Sequence, residues 1–381
     1  MRRAFCVLCL LFAFLLTSPF LSLAAPVEDS LPSANSTPPT TSARAMALLD
    51  AESGTLLAAK EESVPLPMAS TTKIMTALVV LEHLPLDRIV TVPAEAVGIE
   101  GSSIYLFAGE QITVETLLYA LLLSSANDAA VALAIETAGT VADFAALMNE
   151  KAAELGLTST HFCNPHGLHE DAHYTTAQDL ARLTAKALEN KTFVGIVSTP
   201  RHLAAQNGTD ATRLFRNHNR LLTGYEGAIG VKTGYTKKAG RCLVSAATRD
   251  GLTLICVTLG CPDDWKDHTA LLDWGFSAYT HFSASPTPLS LPVVGGEHGE
   301  VSLLPLGTLS LTLPQQHARI ECTAELPRFL FGGFEQGKKV GELVYRLNGV
   351  EIGRIPLVTA TACAAERPPT LWARLKRIFQ K

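Results

Sequence analysis

The sequence has no excess of basic charge, no long apolar segment and, beyond its first residues, no cysteines at metal-binding spacing. Lys and Arg number 31 against 36 Asp and Glu, for a formal net charge of −5. A chain so balanced has no global basic field to hold a nucleic-acid backbone. The longest unbroken apolar run, Ala4 to Leu16, is about 13 residues, short of the ~20 helical residues that cross a hydrocarbon core. Arg2 and Arg3 precede that run and Ser22-Leu23-Ala24 follow it, the layout of a secretory signal peptide. A cut after Ala25 would place Pro26 first in the mature chain, so cleavage is expected after Ala24, giving an exported protein.

Cys6 and Cys9 leave with residues 1–24, and Cys163, Cys242, Cys256, Cys261, Cys322 and Cys363 remain. Export permits disulfides without requiring them. A chain of 381 residues can bury a core without covalent staples, so buried free thiols are expected, with Cys242 and Cys261 the one candidate pair. The 47% hydrophobic content excludes disorder for most of the chain, and the length suits about two domains. No internal repeat is apparent.

Residues 25–42 are rich in Pro, Ser and Thr without apolar periodicity, which predicts a solvated linker. From 43 to 283 the pattern is mixed. Ala45–Leu49 and Thr55–Ala59 predict an opening hairpin. Ala- and Leu-rich runs without Gly or Pro predict helices at Ser70–His83 and across Val114–Thr137, with further helices at Val141–Leu155, Thr176–Leu188 and Asp264–Tyr279. Strand patterns fall at Ala228–Lys232, Arg241–Thr248 and Leu252–Leu259, the last two joined by Asp250-Gly251. From 284 to 362 helical patterns stop, and short β-rich runs at 301–304, 309–313, 318–326, 341–347 and 351–358 predict a small all-β domain. Asn348-Gly349 marks its clearest hairpin. Residues 363–381 close the chain. Within them Leu371, Trp372, Leu375, Ile378 and Phe379 share one helical face and Arg374, Lys376, Arg377 and Lys381 the other, which predicts a basic amphipathic helix suited to an anionic membrane surface.

Three triplets carry the chemistry. Ser70-Thr-Thr-Lys73 opens a helix, where three-residue spacing puts a hydroxyl and an amine on one face; a desolvated Lys can take the proton of such a Ser. Ser125-Ala126-Asn127 interrupts an apolar helical region, a costly place for polar groups unless they serve a site. Lys232-Thr233-Gly234 ends a strand, and Gly234 allows close approach to that edge. Each triplet alone says little. In this order and context they form the Ser-x-x-Lys, Ser-x-Asn and Lys-Thr-Gly set of penicillin-interacting serine enzymes.

From residue 43 to the C terminus the chain closely resembles the low-molecular-mass penicillin-binding proteins, the serine-type D-alanyl-D-alanine carboxypeptidases. Gly101-Ser-Ser-Ile-Tyr-Leu106, Asn164-Pro-His-Gly-Leu168, Asn217-His-Asn-Arg-Leu-Leu222 and Trp274-Gly-Phe276 support the resemblance; Ala126 departs from it, where many members carry Gly. The resemblance implies an α/β (α+β) penicillin-binding transpeptidase/β-lactamase-like domain, in which an antiparallel sheet and a helical lobe enclose a cleft, then a small all-β domain and the terminal helix. It implies removal of the terminal D-alanine from peptidoglycan stem pentapeptides, with Ser70 as nucleophile, Lys73 as base and Ser125 relaying a proton to the leaving amine. Asn127 would hold the substrate amide, Lys232 and Thr233 the terminal carboxylate, and the backbone N–H groups of Ser70 and Tyr235 the oxyanion. β-Lactams would acylate Ser70. No cofactor is implied, and the location is the outer face of the cytoplasmic membrane.

Other readings remain open at this point. His169-Glu-Asp-Ala-His173 matches the zinc-peptidase pattern, but it follows Asn164-Pro165 and Gly167 and precedes Thr176-x-x-Asp179, a capping box, so it is expected in a loop where it cannot present both His to one metal. A class A β-lactamase would carry Glu-x-x-Leu-Asn between the second and third triplets, and none is present. A β-lactam sensor would carry a transmembrane signalling segment. A D,D-endopeptidase can use the same triplets.

Overall fold

The computed structural model describes residues 37–205, 212–317 and 319–366. The expected signal peptide, most of the expected linker, and the amphipathic helix at 371–381 lie outside the described residues. The linker ends in contact with the fold, since Ser42 gives its amide and hydroxyl to Asp267 at 2.7 and 2.8 Å.

Alternation builds the central sheet. In Ala45–Asp50, Ala45, Ala47 and Leu49 enter one core while Met46 and Leu48 enter another; in Leu252–Leu259, Ile255 and Val257 oppose Leu254 and Cys256 in the same way. Successive side chains of a strand point to opposite faces, so strands apolar at every position belong in a sheet covered on both sides. Five antiparallel strands run in the order Leu56–Lys60, Ala45–Asp50, Leu252–Leu259, Gly240–Arg249, Ala228–Thr236. Helix Asp264–Ala278 covers one face, and helix Ala177–Leu188 with the helical lobe covers the other. Ala228–Thr236 is one of the two edge strands, so no strand pairs with its far side.

The lobe consists of helices Lys73–His83, Val114–Leu123, Asn127–Ala138 and Val141–Glu154. Thr113, Thr140 and Thr176 cap their helices, each accepting from the amide three residues on, which satisfies one of the orphan donors of each first turn. The expected helical run across Val114–Thr137 is broken at Ser124–Ala126. Ser125 adopts φ +59°, the amide of Ala126 returns to Ala120 O, and that of Asn127 bonds Ser102 O at 2.7 Å. The polar interruption therefore ends one helix and starts another.

From Tyr279 to Glu366 the regular elements are all strands. Six of them form a sheet in the order Ile320–Glu325, Lys339–Leu347, Val350–Thr359, Glu300–Pro305, Leu289–Val294, Leu330–Phe331, and Tyr279–Ser283 pairs with Ser310–Pro314. Asn348-Gly349 closes the expected hairpin, with Leu347 opposite Val350. Residues 363–366, grouped with the terminal helix on sequence, are extended instead, because Cys363 bridges Phe334 and Ala365 bridges Gly296. Thr312 and Ser310 of this part donate to Asp50 and Glu52 at the end of the first sheet's opening strand.

The six cysteines among the described residues are free, and two depart from the expected burial: Cys163 is half-buried and Cys322 exposed. Cys242 and Cys261 do not pair: their thiols point to Pro67 O at 3.7 Å and to Asp267 Oδ2 at 3.2 Å.

Candidate active site

Ser70 sits in a 3-10 turn, Ala69–Thr72, that runs directly into helix Lys73–His83. The hydroxyls of Thr71 and Thr72 donate back to Met68 O and Ala69 O at 2.6 and 2.8 Å, pinning the turn, and Ala69 holds φ +49°. Lys73 is fully buried. Its Nζ lies 3.0 Å from Ser70 Oγ, 2.7 Å from Asn127 Oδ1 and 2.8 Å from the carbonyl of His166. The two carbonyl-type oxygens can only accept, so they take two N–H bonds of the amine and leave its third position facing the serine hydroxyl. Burial pushes the Lys73 amine well below its ordinary value, and the charge of Lys232 adds to the shift against a smaller opposing pull from Asp128. A desolvated lysine with a lowered pKa, set against a hydroxyl, is suited to act as its general base.

Asn127 is fixed from both ends, its Nδ2 donating to Glu100 O at 2.5 Å. Asp128, 1% exposed, accepts from Ser103 Oγ at 2.6 Å and from the amides of Ile104 and Leu106. It ties segment 101–106, whose Ser102 lines the cleft, to the start of the same helix that carries Asn127. Sequence reasoning missed this anchor, although a carboxylate opening an Ala-rich buried helix was its signal.

Residues 164–168 close the far side of Lys73. Asn164 Oδ1 accepts from Gly167 N at 2.7 Å, and Thr76 Oγ1 donates to Pro165 O at 2.6 Å. Gly167 has φ +89°, and a Cβ there would fall 1.9 Å from Ala69 O; the position accepts glycine alone. His166 was not singled out for its carbonyl, which no side-chain pattern announces.

The open edge strand supplies the other wall. Thr233, Gly234 and Tyr235 line the cleft consecutively. A side chain on Gly234 would press within 3.0 Å of Ser70 N, so glycine leaves that amide free to face a ligand. Lys232, 1% exposed, bonds Thr233 O at 3.0 Å, and burial lowers its amine to about 7. The cleft, about 570 Å³, is further lined by Ser70, Ser102, Ser125, His218 and Arg220. At its mouth the Arg220 guanidinium lies over the Trp265 ring, 5.8 Å from its centroid, and Arg241 pairs with Asp264 at 3.3 Å.

The structure thus places Ser70, Ser125, Thr233, Gly234 and Tyr235 on the cleft and Lys73, Asn127 and Lys232 within its walls. His169–His173 lies in a loop. His173 Nδ1 accepts from Cys163 N at 3.0 Å, which puts the ring proton on Nε2, facing Thr72 Oγ1 at 2.7 Å. Both ring nitrogens of His173 are therefore occupied in bracing the turn that carries Ser70.

Comparison with known proteins agrees with this geometry. The family model described as D-alanyl-D-alanine carboxypeptidase, Peptidase_S11, matches residues 33–263. D-alanyl-D-alanine carboxypeptidase DacF of Bacillus subtilis is 31% identical over 83% of this chain and 84% of its own length. DacC of Escherichia coli is 34% identical over 84% of each. Penicillin binding protein 5 from Haemophilus influenzae superposes with a TM-score of 0.72 at 28% identity, over 86% of this chain and 99% of that one. The chain belongs to the D-alanyl-D-alanine carboxypeptidase family of serine peptidases.

Proposed function

We propose that the protein removes the terminal D-alanine of peptidoglycan stem pentapeptides through an acyl-enzyme on Ser70. The observation that carries the mechanism is the buried Lys73 amine, 3.0 Å from Ser70 Oγ with its other partners both acceptors. Lys73 takes the hydroxyl proton as Oγ attacks the carbonyl between the two D-alanines. Backbone N–H groups of Ser70 and Tyr235 receive the developing oxyanion, and Lys232 with Thr233 holds the terminal carboxylate. Ser125 passes a proton to the departing amine as the C–N bond breaks, leaving an ester on Ser70. Water then adds to the ester and frees the tetrapeptide. A β-lactam would enter the same path and stop at the ester.

Export and membrane attachment are part of the proposal, supported by the Arg2-Arg3 leader pattern and by the basic amphipathic pattern of residues 371–381. Residues 43–283 would form the catalytic domain and 284–362 a β-rich domain. Deleting residues 369–381 should release the protein from membranes; unchanged membrane association of that truncation would refute the attachment.

The activity is tested by D-alanine release from a peptide ending in Lys-D-Ala-D-Ala, with benzylpenicillin and EDTA as parallel controls. Release abolished by penicillin and spared by EDTA is expected. Absence of release in protein that still forms a stable penicilloyl adduct would turn the reading toward an endopeptidase or a sensor.

A further inference from the structure

Beyond the end of the edge strand lies a second hollow of about 440 Å³, sharing Tyr235 and Arg241 with the cleft. Its charged lining is all cationic: Arg44, Lys237, Lys238 and Arg241, in a chain whose net charge is −5. Asp264 neutralises Arg241. Asp263 lies beside the lining residue Pro262, and Asp267 is engaged by Ser42. Arg44, Lys237 and Lys238 have no ion pair among the described residues. The cluster is built rather than incidental. Thr236 Oγ1 accepts from Ala239 N at 3.0 Å, setting Lys237 and Lys238 at the tip of a tight turn, both exposed. Arg44 lies across Gly260, where a Cβ would meet its Cδ at 2.8 Å, so that glycine makes room for it.

Direction follows from the proposed function, on which this inference rests. If the terminal carboxylate sits at Lys232 and Thr233 and the scissile carbonyl at Tyr235 N–H, a substrate laid along the open edge runs antiparallel to the strand. Its upstream residues then pass Tyr235 toward Lys237. An extended chain advances ~3.4 Å per residue, which brings the second or third residue before the scissile bond to the cationic hollow. We propose that Arg44, Lys237 and Lys238 bind a free carboxylate in the upstream part of the stem peptide and so favour acidic stems over amidated ones.

Two peptides test it, both ending in D-Ala-D-Ala, one with a free carboxylate on the upstream acidic residue and one with that carboxylate amidated. For the full mature protein at low salt, kcat/KM for D-alanine release should favour the acidic peptide about fivefold to twentyfold, the range of a few exposed ion contacts, and high salt should erase the preference. In Lys237→Glu/Lys238→Glu the ratio should fall to one or invert, with benzylpenicillin acylation reporting that the variant is folded. A wild-type ratio of one, or a ratio the double variant leaves unchanged, overturns the inference while release itself upholds the carboxypeptidase reading. Release from neither peptide overturns that reading and the inference with it.

Discussion

Lys73 Nζ and Ser70 Oγ lie 3.0 Å apart, with the amine sealed from solvent and its other two partners, Asn127 Oδ1 and His166 O, unable to donate. Arg at this position stays charged and has no lone pair to offer, so it removes the base while keeping a long nitrogen-bearing side chain. Lys73→Arg should therefore slow acylation by benzylpenicillin about 10²- to 10⁴-fold, the usual worth of a positioned base. Stopped-flow or quenched mass spectrometry reads the rate; an Arg variant that acylates at the wild-type rate would show that Lys73 does not take the proton.

Lys232 gives a pH dependence of known sign. Its amine is lowered by burial from 10.5 to about 7, so it is charged below that pH and neutral above it. KM for D-Ala-D-Ala peptides should rise as pH climbs past about 7, while acylation by a β-lactam ester lacking the carboxylate should show no such limb. Between about 7 and 10.5 the unfolded chain binds a proton that the folded one refuses, so stability grows with pH there. Below that window the fold carries an unpaired buried ammonium. Lys232→Met should raise Tm at neutral pH by several degrees while abolishing carboxylate recognition.

Three histidines, His173 and His268 buried and His166 half-buried, set acid stability. Burial lowers His166 to about 3, His173 to about 4 and His268 to about 3. His268 is held neutral between Ser245 Oγ and Thr258 Oγ1 at 2.5 and 2.9 Å. Below 6.5 the unfolded chain takes up these protons and the folded chain does not, so stability falls from pH 6.5 down to about 4, with a slope of about 1.4 kcal/mol per pH unit per histidine. Urea midpoints measured at several pH values across that range check this, and His268→Asn should flatten the slope by about one third.

Gly167→Ala tests the loop that supplies the His166 carbonyl. With φ +89° and a Cβ only 1.9 Å from Ala69 O, the loop must move away from the nucleophile turn. A loss of about 3 kcal/mol or more is expected, together with slowed acylation because Lys73 loses its partner. Chemical denaturation and the penicillin acylation rate read the two effects separately.

The reactive residues were legible because each belongs to a short local pattern: Ser70 and Lys73 one helical turn apart, Ser125 and Asn127 at a helix break, Lys232 to Gly234 at a strand end. The loop placement of His169–His173 was legible too, from the Pro and Gly before it and the cap after it. The cleft mouth was not. Arg220, Arg241, Asp264 and Trp265 come from three separate segments, and no periodicity joins them. The hairpin Arg201–Ala205 with Thr212–Arg216 escaped because its alternation mixes Arg, His and Thr with single apolar residues, Leu203 and Leu214 remaining exposed. Strand Leu289–Val294 escaped because Pro292 breaks its pattern. The polar interruption at Ser125 was legible, but not that it splits the region into two helices, because propensity does not register a left-handed residue held by tertiary hydrogen bonds.

The proposed acyl-enzyme on Ser70 can be trapped as a stable penicilloyl ester. The most direct measurement is the intact mass of the mature protein after brief exposure to benzylpenicillin, followed by peptide mapping of the adduct. The expected result is one penicilloyl group on the peptide containing Ser70, absent from Ser70→Ala and from protein first saturated with a D-Ala-D-Ala substrate. An adduct on another residue, or one that forms equally in Ser70→Ala, would contradict the account.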